Sequence, residues 1–186
     1  MKRFQVTLAG VEPGLLMNRF SIEEQAEVGK TSRKKKNRNT MEEELERAAY
    51  RKSNKELYLP SEWLFQSLLK AAGEYTVSGR GKKTYKDYIK SVIIIEPDQI
   101  GLGTKKYQAD SRPVVIRATG GRIMRHRPHL PKWKAKFNIV ILDEDMLDQE
   151  TLQMILTRAG QIVGIGDYRP RYGRFLVESF KAVRQG

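Results

Sequence analysis

Apolar and polar residues alternate along several segments of this chain, and such alternation is typical of strands with one buried face. Residues 4–11 alternate until Glu12 and Pro13 interrupt the pattern, which predicts a first strand. A last strand is predicted over residues 175–180. The clearest alternation puts Trp133, Ala135, Phe137, Ile139 and Ile141 on one face and Lys132, Lys134, Lys136 and Asn138 on the other. That strand is expected to bury its first face in the core and to leave a cationic face exposed.

Two further segments carry apolar residues at helical spacing. The first helix is predicted to begin with Ser61 as its N-cap and to end at Gly73. The second is predicted to follow Asp148 as its N-cap and to end at Gly160. Their apolar faces comprise Leu64, Phe65, Leu68, Leu69 and Ala72 in the first helix and Leu152, Ile155, Leu156 and Ala159 in the second.

The segment before the first of these helices, residues 23–56, is highly charged and poor in large apolar residues. This composition favours a flexible basic insertion rather than part of the core. Thr40 and Glu43 form a capping box within it, which predicts a short exposed helix that adds little to the core.

The order of elements predicts the fold class. Further strand segments are predicted over residues 92–95, 112–116 and 121–127, with a loop at 98–109 and a hairpin turn at 128–131. The core elements then run strand, helix, strand, strand, helix, strand, which is the βαββαβ order of ferredoxin-like and RRM-like α+β folds with an antiparallel sheet. Either residues 92–95 or residues 122–127 fill the second strand. A single domain over residues 1–186 is expected, with the insertion at 23–56, an inserted loop and hairpin region at about 77–118, and a C-terminal glycine-rich loop.

Composition narrows the class of partner. The 186 residues carry a formal net charge of +13, so a polyanion is the expected partner. The chain has no cysteine, which excludes disulfides, thiolate zinc sites and cysteine nucleophiles. It has no apolar run long enough to span a bilayer and no signal-peptide core, so a cytoplasmic location without a membrane partner is expected. No metal site is predicted, because the acidic cluster that could suggest one, Asp143, Glu144, Asp145 and Asp148, precedes a helix N-terminus, where carboxylates are favoured. No cofactor is predicted.

The glycine-rich loop at residues 160–174 is the strongest candidate for a ligand site. Glycine lets backbone N–H groups approach a ligand closely, arginine donates two parallel hydrogen bonds to phosphate, and tyrosine stacks on bases. A tight turn with solvated arginines is the alternative. The residues expected to bind nucleic acid here are Gly164, Gly166, Tyr168, Arg169, Arg171, Tyr172, Gly173 and Arg174.

Basic residues also crowd the predicted hairpin without an intervening acid. Such a patch neutralises phosphates and binds with little sequence preference. The expected contacts are Arg122, Arg125, Arg127, Lys132, Lys134 and Lys136, together with Lys34, Lys35 and Lys36. The basic run that contains these last three is a flexible arm, a tether to a neighbouring subunit or a solvated linker.

His126 and His129 lie within this basic hairpin and are candidates for general acid and base in RNA cleavage. The simpler interpretation is that both are phosphate contacts or surface residues. The sequence therefore favours binding over catalysis and predicts no catalytic residue, with these two histidines as the alternative.

Two motifs resemble the RAMP superfamily of CRISPR-Cas systems. Gly160-x-x-x-Gly164-Ile165-Gly166-x6-Gly173-Arg174-Phe175 resembles the glycine-rich loop between the last helix and last strand of its ferredoxin-like cores. Leu57-Tyr58-Leu59-Pro60-Ser61-Glu62-Trp63-Leu64 resembles the helix start of its backbone subunits, the "Cas seven" type. The chain is shorter than most such subunits, and it has no clear counterpart of the early-loop aspartate with which some members cut target RNA.

The resemblance implies a non-catalytic subunit that coats single-stranded guide RNA through phosphate contacts, self-associates along it and joins other effector subunits. It also implies that the inserted hairpin lies between neighbouring copies. Three alternatives stay open: a metal-independent endoribonuclease that processes guide RNA, a stand-alone relative that binds single-stranded DNA, and a subunit whose basic surface binds an acidic protein.

Overall fold

The structure is a computed structural model, and it describes residues 1–19, 40–115 and 120–183. Lys34, Lys35 and Lys36, which were predicted to contact nucleic acid, lie outside these ranges. The strands are β1 (Lys2–Gly10), β2 (Leu15–Leu16), β3 (Tyr58–Pro60), β4 (Ile93–Glu96), β5 (Gln99–Gly101), β6 (Gln108–Val115), β7 (Arg122–Leu130), β8 (Lys134–Ile141) and β9 (Phe175–Val183). The helices are α1 (Met41–Ala48), α2 (Ser61–Ala72), α3 (Lys86–Val92), α4 (Gln149–Arg158) and a π-helix (Ala159–Val163) that continues α4.

The central sheet has four strands in the order β4-β8-β1-β9. Each neighbouring pair is antiparallel. With α2 and α4 as the connecting helices, this is the second-third-first-fourth strand order that the βαββαβ connection produces. The mixed α+β class with antiparallel sheets is therefore confirmed and is compatible with a ferredoxin-like fold. The second strand is β4, because β7 belongs to a different sheet.

One face of this sheet forms the core with α2 and α4. Phe4, Val6 and Leu8 of β1 are fully buried, and Val6 lies opposite Phe137 of β8. Leu64 of α2 is fully buried as well. The alternation predicted for β8 is confirmed, since Trp133, Ala135, Phe137, Ile139 and Ile141 are buried while Lys132, Lys134 and Lys136 are exposed.

Trp133 lies where the end of the glycine-rich loop enters the central sheet at β9. It is 5% exposed, and a methyl group placed on Gly10 would overlap its indole ring. The ring also meets Phe175 edge to face, with centroids 6.5 Å apart. Gly10 is therefore required by close packing against a tryptophan.

The hairpin predicted around residues 128–131 is wrong. β7 continues through Leu130 and pairs with β6 and β2 in a separate sheet of order β2-β7-β6. Pro128 lacks an N–H group, but its carbonyl accepts a hydrogen bond from the N–H of Met17 at 3.0 Å. Because β7 and β8 lie in different sheets, the basic residues of this region do not form one hairpin surface.

The capping box of α1 is confirmed: the Glu43 N–H donates to Thr40 Oγ1, and the Thr40 N–H donates to the Glu43 carboxylate. Leu45 and Ala48 of this helix are buried at 4% and 2% exposure. The helix is therefore not fully exposed, because its apolar side lies against β7, but neither residue belongs to the main core cluster, as predicted.

The caps of the two core helices differ from each other. Asp148 is the N-cap of α4 as predicted, and its carboxylate accepts from the Thr151 N–H at 2.8 Å. This hydrogen bond is the main cause that lowers the pKa of Asp148. Ser61, by contrast, is not an N-cap: Pro60 has that position, and the Ser61 hydroxyl donates to Asp98 at 3.3 Å.

Two short elements that flank β4, namely α3 and β5, were not predicted. α3 ends at Val92, immediately before β4 begins. In the sequence its buried residues Ile89 and Val92 therefore look like part of the apolar segment that forms the strand. β5 lies within residues 98–109, which were predicted to be a loop, and it pairs with β3. No helix in the described ranges is long and apolar enough to cross a membrane.

Candidate nucleic-acid interface

The glycine-rich loop is hydrogen-bonded to the segment that follows β1. The Val11 N–H donates to the Arg174 carbonyl at 3.0 Å, and the Gly173 N–H donates to the Gly14 carbonyl at 2.8 Å. Gly166 packs closely against β2, since a methyl group there would lie 2.6 Å from Leu15 Cδ1 and from the Leu16 carbonyl oxygen, and it is in ordinary contact with the Trp63 ring of α2 at 3.4 Å. The loop is therefore fixed to both the sheet and the first core helix.

The loop glycines serve this internal packing. Gly164 and Gly173 adopt φ of +70° and +79°, in the left-handed region that favours glycine. A methyl group on Gly173 would overlap the carbonyl oxygen of Ile165. The N–H of Gly164 donates to Ala159 at 2.8 Å and that of Ile165 to Gly173 at 2.9 Å. These N–H groups are therefore occupied, and the tight-turn interpretation describes the glycines better than direct anion binding.

The two loop tyrosines have different environments. Tyr172 is only 8% exposed, whereas Tyr168 is 46% exposed. The guanidinium of Arg112 lies over both rings, 5.4 Å from the Tyr168 centroid and 5.0 Å from that of Tyr172. Its Nη2 also donates to the Tyr172 hydroxyl at 2.7 Å. The prediction that Tyr172 stacks on a base does not fit its burial, while Tyr168 keeps an accessible ring.

Arg112 connects β6 to the loop, and the sequence analysis did not single it out. Asp110, two residues earlier on the same face of β6, accepts from its Nε at 2.7 Å and also from its Nη2. The hydrogen bond to Asp110 is the main cause that raises the pKa of Arg112. The Asp-x-Arg spacing on a strand is the signal that would have pointed to this pair.

Arg127 on β7 is a second arginine that holds the loop in place. It is 9% exposed, and its Nε lies 2.5 Å from the Asp167 carboxylate, an ion pair without the alignment of a hydrogen bond. Its Nη1 has no hydrogen-bond partner among the described residues. Arg127 therefore stabilises the loop from its buried side. It is not accessible to a phosphate, so the structure does not fit its predicted role as a nucleic-acid contact.

The other predicted β7 arginines lie on opposite faces of the strand. Arg122 is exposed, while Arg125 is half-buried and lies 3.5 Å from Glu44 of α1. Residues separated by three along a strand point to opposite sides. On β8, Lys134 forms an ion pair with Glu178 at 2.8 Å.

The two histidines do not converge either. The same spacing of three puts His126 and His129 on opposite faces of β7. His126 Nδ1 lies 2.7 Å from the Ser111 hydroxyl, and His129 Nε2 donates to the Pro13 carbonyl at 2.6 Å. An acid and base pair would require both rings to reach one substrate atom, which this arrangement does not provide.

Three arginines of the loop remain accessible: Arg169, Arg171 and Arg174, which we call the loop arginines. All three are exposed. None has an acidic partner within the described part of the chain. Arg122, Lys132 and Lys136 share both properties. A rigid loop thus presents unpaired guanidinium groups to the surroundings.

The acidic residues before α4 cap the turn that they occupy. The Asp143 carboxylate accepts from the Asp145 N–H at 2.9 Å. Across the residues that the structure describes, no group of three histidine, aspartate or glutamate side chains is arranged to hold a metal ion.

Comparison with known proteins shows a likeness in fold but not in sequence. No family model matches the chain, and no curated protein matches it. Among solved structures, it is similar to a chain in the cryo-EM structure of the Type III-B Cmr-beta bound to cognate target RNA, with a TM-score of 0.61 and 9% identity. The match covers 98% of this chain and 61% of that one. The likeness supports the ferredoxin-like fold that the strand order indicates.

Proposed function

We propose that this protein binds single-stranded RNA through phosphate contacts, as a non-catalytic subunit of a CRISPR effector complex. In this proposal it coats guide RNA and associates with further copies of itself along the strand. The observation that carries the proposal is the set of three exposed, unpaired loop arginines on a loop fixed from below by Arg112 and Arg127.

Rigidity matters because an immobilised donor loses less conformational entropy when it binds. Arg112 and Arg127 hold the loop through Tyr172 and Asp167, so the loop arginines project from a preformed backbone. Guanidinium groups suit phosphate oxygens in geometry as well as charge. Tyr168 adds an accessible ring on which a base can stack.

The fold likeness supports RNA as the ligand, since the similar chain comes from a structure that contains target RNA. It does not carry the role of that assembly over to this chain, because the identity is 9% and this chain spans 61% of that chain's length.

The test is the affinity of a fluorescent single-stranded RNA for the wild-type protein and for a variant with Arg169→Ala, Arg171→Ala and Arg174→Ala. We expect the variant to bind at least about tenfold more weakly at roughly 0.1 M salt. The slope of log affinity against log salt should fall by about 2, at about 0.7 per lost contact to a single strand. Fluorescence anisotropy over a salt series measures both quantities.

A matched control removes the same charge elsewhere. Lys55, Lys105 and Lys106 are exposed, and Lys55 lies close enough to Glu46 to lower the pKa of that carboxyl. Their joint replacement by alanine should change the affinity less than about twofold. If the loop-arginine variant and the lysine control lost the same affinity for RNA, the loss would be due to net charge alone, and the proposal would be contradicted. Binding that depends strongly on one base would also contradict backbone recognition.

Absence of cleavage is a separate expectation. Labelled structured RNA incubated with the protein in chelator should remain intact on a denaturing gel, because the two histidines face opposite sides of β7. Cleavage that disappears in both His126→Ala and His129→Ala would establish the endoribonuclease instead.

A parallel titration with DNA of the same sequence distinguishes an RNA-binding subunit from a DNA-binding relative.

A further inference from the structure

A second basic segment lies between α2 and α3, away from the glycine-rich loop. Thr76 and Thr84 form a β-bridge, and the Val77 N–H donates to the Lys83 carbonyl at 2.8 Å. Residues 78–83 are thereby closed into a turn, which we call the basic turn.

The side chains of the basic turn are cationic and exposed. Arg80, Lys82 and Lys83 are all exposed, and none takes part in an ion pair with a described residue. Lys86 and Lys90 of α3 continue the charge, with Asp87 as the acid among them. Unpaired like charges at close range destabilise a fold unless an anion neutralises them.

The glycines of the basic turn differ from those of the glycine-rich loop. Gly79 and Gly81 adopt φ of +71° and +63°, yet a methyl group on either would have no atom within 4 Å. The N–H groups of Gly81 and Lys82 donate to no described residue. The backbone here is open to a ligand, whereas the backbone at Gly173 is enclosed. Exposed successive N–H groups in a turn form an anion-binding concavity.

The two loops lie at opposite ends of α2. Trp63, in the first turn of α2, adjoins Gly166, whereas the basic turn follows the last turn of the helix. The helix has 12 residues, which corresponds to roughly 18 Å. A ligand that runs from one end of α2 to the other is extended over about this length.

The composition of the basic turn favours phosphate over a protein partner. A stable protein interface has an apolar centre, with charged residues depleted there. No large hydrophobic side chain between residues 76 and 92 is exposed. The turn instead combines long cationic side chains with uncovered N–H groups, which matches the oxygen-rich backbone of a nucleic acid.

We propose that the basic turn is a second phosphate-binding surface, which contacts the nucleic-acid backbone beyond the segment bound by the loop arginines. The identity of the ligand as a single nucleic-acid strand rests on the proposed function. A nucleic-acid strand that contacts both the basic turn and the loop arginines must be longer than a strand that contacts the loop arginines alone.

The test compares two ligand lengths in a variant with Arg80→Ala, Lys82→Ala and Lys83→Ala. For a 20-nucleotide single-stranded RNA we expect about a fivefold loss of affinity and a decrease of about 2 in the salt slope. A tetranucleotide, at the lower end of single-strand site sizes, should bind within about twofold of wild type because it occupies only the loop arginines. The control is again the joint alanine variant of Lys55, Lys105 and Lys106.

Equal effects of the basic-turn and control variants on the 20-mer would overturn the inference while leaving the proposed function intact. A tetranucleotide that is weakened as much as the 20-mer would also overturn it. NMR titration of the wild-type protein with inorganic pyrophosphate tests the turn without RNA, and the amides of Gly81 and Lys82 should shift. If those amides shift but no RNA binds, the proposed function fails and the anion site stands; if they do not shift, the anion site fails.

Discussion

The variant Gly173→Ala is expected to lose on the order of 4 kcal/mol of unfolding free energy. A left-handed backbone costs an L-residue about 1 to 2 kcal/mol, and forcing a group into filled space costs about 1 to 3 kcal/mol more. At Gly173 both costs apply, because φ is +79° and the new methyl group would overlap the Ile165 carbonyl oxygen. Since small domains have about 5 to 15 kcal/mol of stability in total, this loss is a large fraction of it, and the variant should unfold at a clearly lower urea concentration than the wild type. Urea denaturation followed by circular dichroism measures the loss.

The matched control is Gly103→Ala. Gly103 has φ of +67°, but a methyl group there would meet no atom within 4 Å. It should therefore lose only the conformational part, about 1 to 2 kcal/mol. If the two variants were equally stable, the close approach of residues 165 and 173 would not exist in solution.

The variant Asp167→Ala is expected to lose about 2 to 3 kcal/mol of unfolding free energy, because it leaves the guanidinium of Arg127 buried without its ion pair. Arg127 is 9% exposed, and its Nη1 already lacks a hydrogen-bond partner among the described residues. The Asp167 side chain is 31% exposed, so water compensates part of the loss, and we place the effect below that of a fully buried pair. Urea denaturation at neutral pH measures it.

A second substitution identifies the cause. Adding Arg127→Met to Asp167→Ala removes the buried charge and should restore about half of the lost stability or more. A double variant that is less stable than Asp167→Ala alone would show that the aspartate acts independently of Arg127. In the RNA assay, Asp167→Ala should also weaken binding, since the loop arginines follow Asp167 directly.

The strands and helices of the core were predictable because each has a strong local pattern. Strict alternation identifies the buried face of β8, and helical spacing identifies that of α2. Which strands become neighbours is not a local property. β7 and β8 are separated by three residues, yet they join different sheets because β7 pairs with Leu15 and Leu16, far away in the chain.

The candidate site shows the same limit at the level of side chains. Arg127 and Arg169 are equivalent as letters in a basic segment, but one is buried beside Asp167 and the other is exposed. Tyr168 and Tyr172 differ in the same way. These differences arise from contacts between β6, β7 and the loop, whose residues are distant in sequence. Composition therefore identified the cationic loop, whereas the structure separates its supporting residues from its accessible ones.

The chain contains two tryptophans, and both touch the region of the glycine-rich loop. Trp63 adjoins Gly166 within the loop, and Trp133 packs against Gly10 of β1 and against Phe175, which follows the loop. Indole emission depends on the polarity around the ring. The tryptophan fluorescence of the unlabelled protein should therefore change when the glycine-rich loop leaves its native contacts. Intrinsic fluorescence can thus follow the loop during unfolding or ligand titration, without a dye that would disturb the basic surface.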